Sequence, residues 1–455
     1  MNPNPLFPTT DTLGINTDLY ELTMAAAYFD NGRSQDLATF ELFTRQLPER
    51  RNFLLVAGLE QALHYALNVG FTEETVEFLR GLEAFQNVSD AFFEYLKGFR
   101  FTGDIWAMPE GTVFFEKEPI VQVRAPIIES QLLETYLINS LNYQSMVASK
   151  AARMCLGARG RSVVDFGSRR AHGPQTAVLA ARACFLGGCS GTSNVLAGYE
   201  MGIPVFGTMA HSFVQSFDSE EQAFNAFLRV FPDHTTILID TYDSLEGIAK
   251  TLELKGSFDG IRLDSGDLAG LAQKAREMLD RAGRKETRIF VSSSLNEEKI
   301  LAYSLKGLPI DGYGVGTEMV VSSDAPSCDL VYKLVELTRD GIRLPKFKAS
   351  EEKRTLPLRK QVYRKSDEGA FAGDWICCAD EEGPAGSESL LKKYVEGGKL
   401  IEPIESLDAV RTRAQRQIEQ LPPTCKHLHS IEWYPVRVSR LLETTQAELQ
   451  AKYTR

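Results

Sequence analysis

This sequence lacks several features that would assign it to a membrane, the cell exterior or nucleic acid. It contains no run of about 18 apolar residues, so we expect no membrane-spanning helix. The first residues, Met1 to Asp11, hold neither a basic segment nor an apolar core, which argues against a signal peptide. The net charge of −11 argues against nucleic acid or an anionic membrane as the main partner.

Cysteine is scarce, and its spacing shows no metal or redox pattern. None of the seven cysteines forms a C-x-x-C pair, so neither a zinc knuckle nor a thioredoxin-like site is indicated. Scattered reduced thiols are typical of cytosolic proteins, and we expect a cytoplasmic location.

The remaining composition is that of an ordinary globular protein, with 43% hydrophobic and 24% charged residues. A chain of 455 residues exceeds one simple core, so two domains are expected. Helices predicted at Leu19–Tyr28 and Phe53–Asn68 precede a β-rich stretch at Phe101–Arg124. Residues 1–130 are therefore predicted to form an α+β domain.

Short apolar strands alternate with helices between residues 131 and 334. The predicted strands are Ser162–Phe166, Pro204–Gly207, Thr236–Asp240, Phe258–Leu263, Arg288–Ser292 and Ile310–Val315. This alternation predicts parallel βαβ units, and their number favours a closed, irregular (β/α) barrel over an open sheet. Residues 335–455 change character again, and we expect them to pack back on the first domain. The predicted fold class is thus α/β, an irregular barrel plus an α+β N-terminal domain completed by the C-terminal segment.

Polar residues follow most of these strands, and a barrel would gather them on one face. They are Arg169, Arg170 and His172; Thr208 and His211; Asp240 and Asp243; Arg262, Asp264 and Asp267; Ser292, Ser293 and Ser294; and Gly314, Gly316 and Thr317. Several arginines at strand ends indicate an anionic substrate, although a single arginine more often forms a surface ion pair.

Two groups in this set suit phosphate and metal. Gly316 and Thr317 suit a phosphate, which Ser293 could share, because small residues expose backbone N–H groups and the hydroxyl adds a donor. An ordinary tight turn is the alternative. Asp264 and Asp267 offer the oxygen ligands that Mg²⁺ prefers, whereas Asp267 can instead cap the next helix.

His211 also has two interpretations. A lone histidine is usually a satisfied core residue. Beside Thr208 and a phosphate loop, His211 is better interpreted as a general acid, a base or a nucleophile.

Several of these segments together resemble nicotinate phosphoribosyltransferases, from residue 17 to about residue 360. The motifs are Thr17–Met24 (TDLYELTM), Phe40–Pro48 (FELFTRQLP), Asp165–Gly173 (DFGSRRAHG), Gly191–Asn194 (GTSN), Gly207–Ser212 (GTMAHS), Ile261–Asp267 (IRLDSGD) and Gly314–Thr317 (GVGT). Because several separate motifs occur in the right order, the resemblance is specific.

The resemblance implies an α/β barrel beside an α+β domain, in a homodimer with sites at the subunit contact. It implies that nicotinate, phosphoribosyl pyrophosphate and ATP are converted to nicotinate mononucleotide, pyrophosphate, ADP and phosphate, the entry of nicotinate into NAD salvage. It further implies that His211 becomes a phosphohistidine. The implied binding residues are Tyr20, Thr208 and Arg262 for nicotinate and Thr317 for phosphoribosyl pyrophosphate.

The chemistry of these side chains suits the roles that the resemblance implies. Phe166 and Tyr20 can sandwich a flat ring, with Tyr20 supplied by the neighbouring subunit, while Arg262 suits the nicotinate carboxylate. Asp264 with Mg²⁺ suits pyrophosphate, and Arg169 adds positive charge.

Ser193 bears on whether the substrate is nicotinate or nicotinamide, because the resemblance implies that nicotinamide-using relatives carry an aspartate at this position. A carboxylate would repel nicotinate, whereas the Ser193 hydroxyl can donate to it.

Two rival functions remain at this stage. One is a nicotinamide or quinolinate phosphoribosyltransferase, and the other is a non-catalytic phosphosugar-binding protein of the same fold. The sequence also departs from the family pattern, because Leu358 follows Pro357 at the end of the basic stretch 346–357, where the family has glycine. This stretch is either a phosphate-gripping loop or a solvated basic segment.

Overall fold

A computed structural model describes residues 9–350 and 353–453. Met1–Pro8, most of the segment screened for a signal peptide, lie outside the described residues, as do Glu351 and Glu352 of the basic stretch. The chain forms two compact units. The first comprises the residues up to Ser145, Ser327–His427 and the residues from Ile431 onwards, and the second comprises Met146–Pro326 and Leu428–Ser430.

The first unit begins with mixed helices and strands. Its N-terminal elements are α1 (Leu19–Asp30), β1 (Leu37–Thr44), β2 (Leu54–Leu55), α2 (Leu59–Asn68), α3 (Glu73–Arg80), α4 (Asp90–Lys97), β3 (Asp104–Ala107), β4 (Val113–Phe114), β5 (Val121–Pro126) and α5 (Ile127–Gln131). The helix predicted from Phe53 is wrong over its first six residues, because the helix begins only at Leu59 and Leu54–Leu55 form β2. Gly58 has a φ of 99°, a left-handed conformation at which α2 begins.

A long helix, α6 (Glu134–Ala158), crosses the division between the units. The sequence placed the domain boundaries at 130/131 and 334/335, whereas the compact units divide at 145/146 and 326/327. A helix of this length leaves no composition break at its middle, so the sequence offers no signal for the observed division.

The second unit alternates strands and helices. Its elements are β6 (Ser162–Asp165), α7 (Pro174–Leu186), β7 (Gly191–Thr192), α8 (Val195–Met201), α9 (His211–Gln215), α10 (Glu220–Val230), β8 (Thr236–Leu238), α11 (Ser244–Leu252), β9 (Gly260–Leu263), α12 (Leu268–Arg281), β10 (Arg288–Ser292), α13 (Glu297–Leu305), β11 (Gly312–Val315) and α14 (Thr317–Val320). The predicted cap is present, because Asp267 accepts a hydrogen bond from the Gly270 N–H at the start of α12.

The strands of the second unit form a parallel sheet in the order β7-β6-β11-β10-β9-β8. The first strand of the unit, β6, pairs with its last, β11, while β8 to β11 follow chain order, which is the connectivity of a (β/α) barrel. Beyond β7, Val205 adds a single parallel bridge to Thr192. Among the described residues no ladder joins Val205 to β8, so the barrel is irregular, as the sequence predicted.

The strand predicted at Pro204–Gly207 is therefore wrong as a buried strand. Only Val205 pairs, and Val205 and Phe206 are 49% and 44% exposed. Pro204 removes a ladder donor, and Gly207 ends the run three residues later, so the apolar residues remain at the edge. The short strand β7 was not predicted, because two residues carry no periodic signal.

The C-terminal segment returns to the first unit. Its elements are β12 (Leu330–Arg339), β13 (Ile342–Pro345), β14 (Lys360–Asp367), β15 (Ala370–Cys378), β16 (Ser387–Ser389), β17 (Lys392–Glu396), β18 (Lys399–Leu400), α15 (Leu407–Gln420), β19 (Val436–Val438) and α16 (Arg440–Tyr453). A seven-stranded sheet has the order β13-β12-β1-β5-β3-β17-β18, so strands from the end of the chain flank those from its beginning. The expectation that this segment completes the N-terminal domain is confirmed. None of the described helices has the length and apolar character needed to cross a membrane.

Candidate active site

Arg262, on β9, lies at the centre of a hydrogen-bonded network in the second unit. Its Nε donates to Ser292 Oγ at 2.8 Å, one terminal nitrogen donates to Thr208 Oγ1 at 3.0 Å, and the other donates to Asp264 Oδ1 at 2.7 Å. These partners come from β10, from the segment after Val205 and from the end of β9. The barrel thus brings the ends of β9 and β10 and the segment after Val205 together around one guanidinium.

Asp264 is the anionic partner in this network. Its Oδ1 also accepts from the Ser292 hydroxyl, and its Oδ2 lies 3.6 Å from His211 Nε2. Burial opposes ionisation, but the Ser292 hydrogen bond and the positive charge of Arg262 outweigh it and lower the pKa of Asp264. The carboxylate is therefore ionised at neutral pH.

His211, the first residue of α9, has different partners at its two ring nitrogens. Nε2 faces the Asp264 carboxylate, and Nδ1 lies 3.2 Å from Thr241 Oγ1. An ionised carboxylate only accepts hydrogen bonds, whereas a hydroxyl can donate, so these partners favour the tautomer with the proton on Nε2. The lone pair of the neutral ring is then on Nδ1.

Asp240 provides a second carboxylate beside Asp264. Its Oδ2 accepts from the Asp264 N–H at 2.8 Å and from Ser265 Oγ at 2.7 Å, and its Oδ1 is buried without a hydrogen-bond partner. No group of three or more histidine, cysteine, aspartate or glutamate side chains is arranged to hold a metal among the residues that the structure describes. Two carboxylates suit Mg²⁺, which keeps water and substrate phosphates as its other ligands.

A small cavity of about 70 Å³ adjoins Arg262. It is lined by Val164, Phe166, Phe206, Gly207, Thr208, Thr236, Arg262, Phe290, Val291, Ser292, Tyr313 and Gly314. The guanidinium carbon of Arg262 lies 5.4 Å from the centroid of the Phe166 ring. An aromatic cavity with one cation suits a flat anionic ligand.

Gly314 is explained by this cavity. A Cβ built at Gly314 would lie 2.5 Å from the ring of Phe166, so glycine is required for the ring to pack against β11. Any larger residue would displace Phe166 from the cavity wall.

Three family models cover most of the chain. Their descriptions are the nicotinate phosphoribosyltransferase N-terminal domain at residues 15–142, the nicotinate phosphoribosyltransferase family at 161–348 and the nicotinate phosphoribosyltransferase C-terminal domain at 383–446. The chain belongs to the nicotinate phosphoribosyltransferase family. All the residues of the Arg262 network lie within the second of these matches.

Individual family members are similar over nearly the whole length. Nicotinate phosphoribosyltransferase pncB2 of Mycobacterium tuberculosis is 48% identical over 93% of this chain and 91% of its own length. The nicotinate phosphoribosyltransferase of Bacillus subtilis is 42% identical over 82% of this chain and 77% of its own length. The crystal structure of human nicotinic acid phosphoribosyltransferase superposes with a TM-score of 0.84 at 30% identity, covering 95% of this chain and 99% of that one.

The predicted site residues of this family member fall into two groups in the structure. His211, Thr208, Arg262 and Asp264 belong to the network, and Phe166 lines the cavity.

The other predicted residues lie at separate positions. Arg169 and Ser293 are exposed after β6 and β10, Gly316 and Thr317 follow β11, and the Ser193 N–H donates to the Asp165 carbonyl at 2.8 Å. Tyr20 is 46% exposed on α1 of the first unit, where burial of its hydroxyl and the charge of Glu134 raise its pKa.

Ser293 was predicted as a site residue, whereas the contacts of Ser292, Thr241 and Phe206 were not. The strand period could have found Ser292, because Phe290 is in register with Arg262 and residues two apart share a face. Thr241 and Phe206 gave no such signal, since each lies beyond the end of a regular strand.

Proposed function

We propose that this chain is an enzyme that joins nicotinate to phosphoribosyl pyrophosphate, forming nicotinate mononucleotide and pyrophosphate. The observation that supports this most is Arg262 in an aromatic cavity, beside the ionised Asp264 and His211. The names of its relatives point to the same reaction.

In this proposal the pyridine ring lies against Phe166, and its carboxylate pairs with Arg262, which Thr208 and Ser292 hold in place. The ring nitrogen attacks C1 of the sugar as the bond to pyrophosphate breaks, through an oxocarbenium-like transition state. Holding the ring in one orientation lowers the entropic cost of this step. Ser193 donates to the acid, and Arg169, Ser293, Gly316 and Thr317 bind the phosphates of phosphoribosyl pyrophosphate.

Asp264 would hold Mg²⁺ through Oδ2, with the unpartnered Oδ1 of Asp240 as a second oxygen donor. When bound, the ion would neutralise charge on the leaving pyrophosphate. Asp264 has a further role in the absence of the ion, because it orients the imidazole of His211 through Nε2.

ATP is proposed as a co-substrate. The lone pair on His211 Nδ1 attacks the γ-phosphorus, the bond to the ADP oxygen breaks, and water later releases phosphate from the phosphohistidine. Asp264 stabilises the positive charge that develops on the ring.

We further propose that the protein is a cytoplasmic homodimer in which the neighbouring subunit supplies Tyr20 to the ring. No nucleic acid or membrane partner is expected. The exposed position of Tyr20 on α1 leaves its ring available to a second subunit.

The reaction is tested by incubating the protein with phosphoribosyl pyrophosphate, Mg²⁺ and one of three bases. We expect nicotinate to be turned over far faster than nicotinamide or quinolinate. Faster turnover of either of the other bases would support the corresponding rival enzyme, and failure to turn over any base would support a non-catalytic binding protein.

The ATP step is tested with His211→Ala. We expect this variant to lose ATP hydrolysis and the stimulation by ATP while it retains slow transfer. Mass spectrometry of the unaltered protein after ATP treatment should show an acid-labile phosphate on His211. Unchanged ATP turnover in the variant would remove the phosphohistidine from the mechanism.

A further inference from the structure

Asp165, the last residue of β6, is a fully buried acid that the proposed reaction does not use. Its Oδ1 accepts from the Gly167 N–H at 2.7 Å, and its Oδ2 accepts from the Thr192 hydroxyl at 2.7 Å. Burial raises the pKa of its carboxyl despite these two hydrogen bonds. A buried carboxyl without a cation among its hydrogen-bond donors is costly to retain, so its position needs a reason.

Thr192 connects the Asp165 carboxyl to two neighbouring segments through hydrogen bonds. The Thr192 hydroxyl oxygen also accepts from the Asn194 N–H at 3.0 Å. The Thr192 N–H donates to the Pro204 carbonyl at 3.0 Å, and the Thr192 carbonyl accepts from the Phe206 N–H at 2.9 Å. One carboxyl thus fixes Thr192, and Thr192 holds the segment that carries Phe206.

The same carboxyl acts on Phe166 from the other side. Phe166 lies between Asp165 and Gly167, and the Gly167 N–H is bound to Asp165 Oδ1. The loop is also tightly packed, because a Cβ at Gly167 would lie 2.2 Å from Val320 Cγ1. Phe166 and Phe206 both line the cavity beside Arg262.

The main-chain ladder is thin at this edge of the barrel. β7 has two residues and Val205 contributes one bridge, whereas β9 and β10 pair over four residues. With so few backbone hydrogen bonds, side-chain bonds must fix the relative positions of these segments.

We propose that Asp165 is a positioning residue for the pyridine ring, which acts through Thr192 and Gly167 to hold Phe206 and Phe166 at the cavity wall. This inference rests on the proposed function, because it assumes that the ring enters this cavity. Thr208, two residues after Phe206, is the one partner of Arg262 on this segment, whereas the other partners in the network lie on β9, β10 and α9. Loss of the Asp165–Thr192 bond therefore affects ring binding before it affects the chemistry.

The test is Thr192→Val, which removes the hydroxyl at nearly constant volume. We expect the KM for nicotinate to rise about tenfold, because the free energy of the lost Thr192–Asp165 hydrogen bond would no longer support binding of the ring. The kcat, the KM for phosphoribosyl pyrophosphate and the amount of phosphate that ATP places on His211 should each change less than about twofold on the same reasoning. Thr192→Ser, which keeps the hydroxyl, should restore the KM for nicotinate.

Asp165→Ala should raise the same KM, and the double variant with Thr192→Val should be no worse than the more severe single variant, because both remove one interaction. Should Asp165→Ala fail to fold, the Thr192 variants decide the matter alone. Thr251→Val is the matched control, since Thr251 is a fully buried threonine on α11 whose hydroxyl donates to the Ile248 carbonyl at 2.7 Å. It should lower stability without changing the KM for nicotinate.

The inference is wrong if Thr192→Val leaves the KM for nicotinate unchanged, or if it raises the KM for phosphoribosyl pyrophosphate by the same factor. It is also wrong if Thr192→Ser behaves like Thr192→Val. A different result, in which the unaltered protein makes no nicotinate mononucleotide, would refute the proposed function and this inference with it.

Discussion

Ser193 is the residue at which the discrimination between acid and amide can be examined. Its N–H is held by the Asp165 carbonyl, and its hydroxyl is the only polar group that this side chain offers. A hydroxyl can donate to a carboxylate, whereas an aspartate in its place would repel an acid and accept from an amide. If the ring binds as proposed, one substitution at Ser193 changes which charge of ligand is preferred.

We expect Ser193→Asp to lower the ratio of kcat/KM for nicotinate to that for nicotinamide by about 10- to 100-fold, because a like charge close to the substrate costs roughly 1–3 kcal/mol. The measurement is turnover of both bases by the two proteins. Ser193→Ala serves as the control, since it removes the hydroxyl without adding charge and should weaken nicotinate use only modestly. An unchanged ratio in Ser193→Asp would place the ring away from Ser193.

At the scale of secondary-structure elements, α1 is held to α6 by an arrangement that depends on one proton. Thr135 Oγ1, on α6, lies 2.8 Å from Asp18 Oδ2 and 3.0 Å from Glu21 Oε1. One hydroxyl proton cannot serve two carboxylates, so a protonated Glu21 satisfies the group best. Burial is the main cause that raises the pKa of Glu21 to about 7, and the charge of Glu134 adds to it.

The pH dependence of stability follows from that shift. The folded protein holds a proton on Glu21 that the unfolded chain releases near pH 4.5, so the contribution of Glu21 to the free energy of unfolding falls as pH rises from about 4.5 to about 7 and is level above that. Glu21→Gln, which stays neutral, should be more stable than the unaltered protein at pH 8 by about 1–3 kcal/mol and nearly equal at about pH 4. Denaturant unfolding at the two pH values measures this difference.

Glu73→Gln is the control for that experiment, because Glu73 is an exposed residue in the first turn of α3. It should show no gain in stability at pH 8. A gain for Glu73→Gln equal to that for Glu21→Gln would mean that overall charge, rather than the buried carboxyl, sets the pH dependence.

The segment before β14 carries a second element-scale feature. Leu358 has a φ of 67°. Its side chain packs on a cluster of Ile376, Cys378 and Leu442. The left-handed conformation costs a non-glycine residue roughly 1–2 kcal/mol, and the apolar contact offsets part of that cost.

We expect Leu358→Gly to be more stable than Leu358→Ala by about 1 kcal/mol, since both lose the packing but only glycine loses the strain. Free energies of unfolding in denaturant provide the comparison. At Leu356, which packs on the same cluster without a positive φ, the order should reverse, and alanine should be the more stable substitution. The same order at both positions would show that backbone strain at Leu358 is negligible.

At the scale of the whole molecule, the proposed homodimer would combine Tyr20, on α1 in the first unit of one chain, with His211, in the second unit of the other chain. In a dimer with twofold symmetry, each site would take Tyr20 from one chain and His211 from the other. A chain that carries both substitutions would then inactivate both sites of a mixed dimer.

We expect Tyr20→Ala and His211→Ala to be nearly inactive separately in the ATP-coupled reaction. Co-expressed with different tags and selected through both, they should give mixed dimers with one intact site of two, and so about half of the unaltered activity. Purification through both tags and measurement of ATP-dependent nicotinate turnover provides the test. As the control, each single variant is co-expressed with the chain that carries both substitutions. No activity should return, because every site in such a dimer contains at least one substitution. If no activity returned in the first mixture, no site would combine Tyr20 from one chain with His211 from the other.

Much of the barrel could be predicted from the sequence, because β6 and β8 to β11 are short apolar runs and the helices between them carry capping residues such as Asp243, Asp267 and Asn296. The polar residues at the ends of these strands were predicted to meet for the same reason. The edge at β7 and Val205 was beyond prediction, since a pair of residues and a single bridge have no period.

The sequence alone determined the family, the alternation of strands and helices, and the presence of Arg262, Asp264, His211 and Thr208 at strand ends. Tertiary structure alone decided that Ser292 rather than Ser293 binds Arg262, that Thr241 faces Nδ1 of His211, and that the C-terminal strands flank β1 and β3. The physical reason is the separation along the sequence over which each kind of interaction acts. Periodicity and capping act over a few residues of chain, whereas side-chain partners and strand neighbours are set by packing between segments that are far apart in sequence.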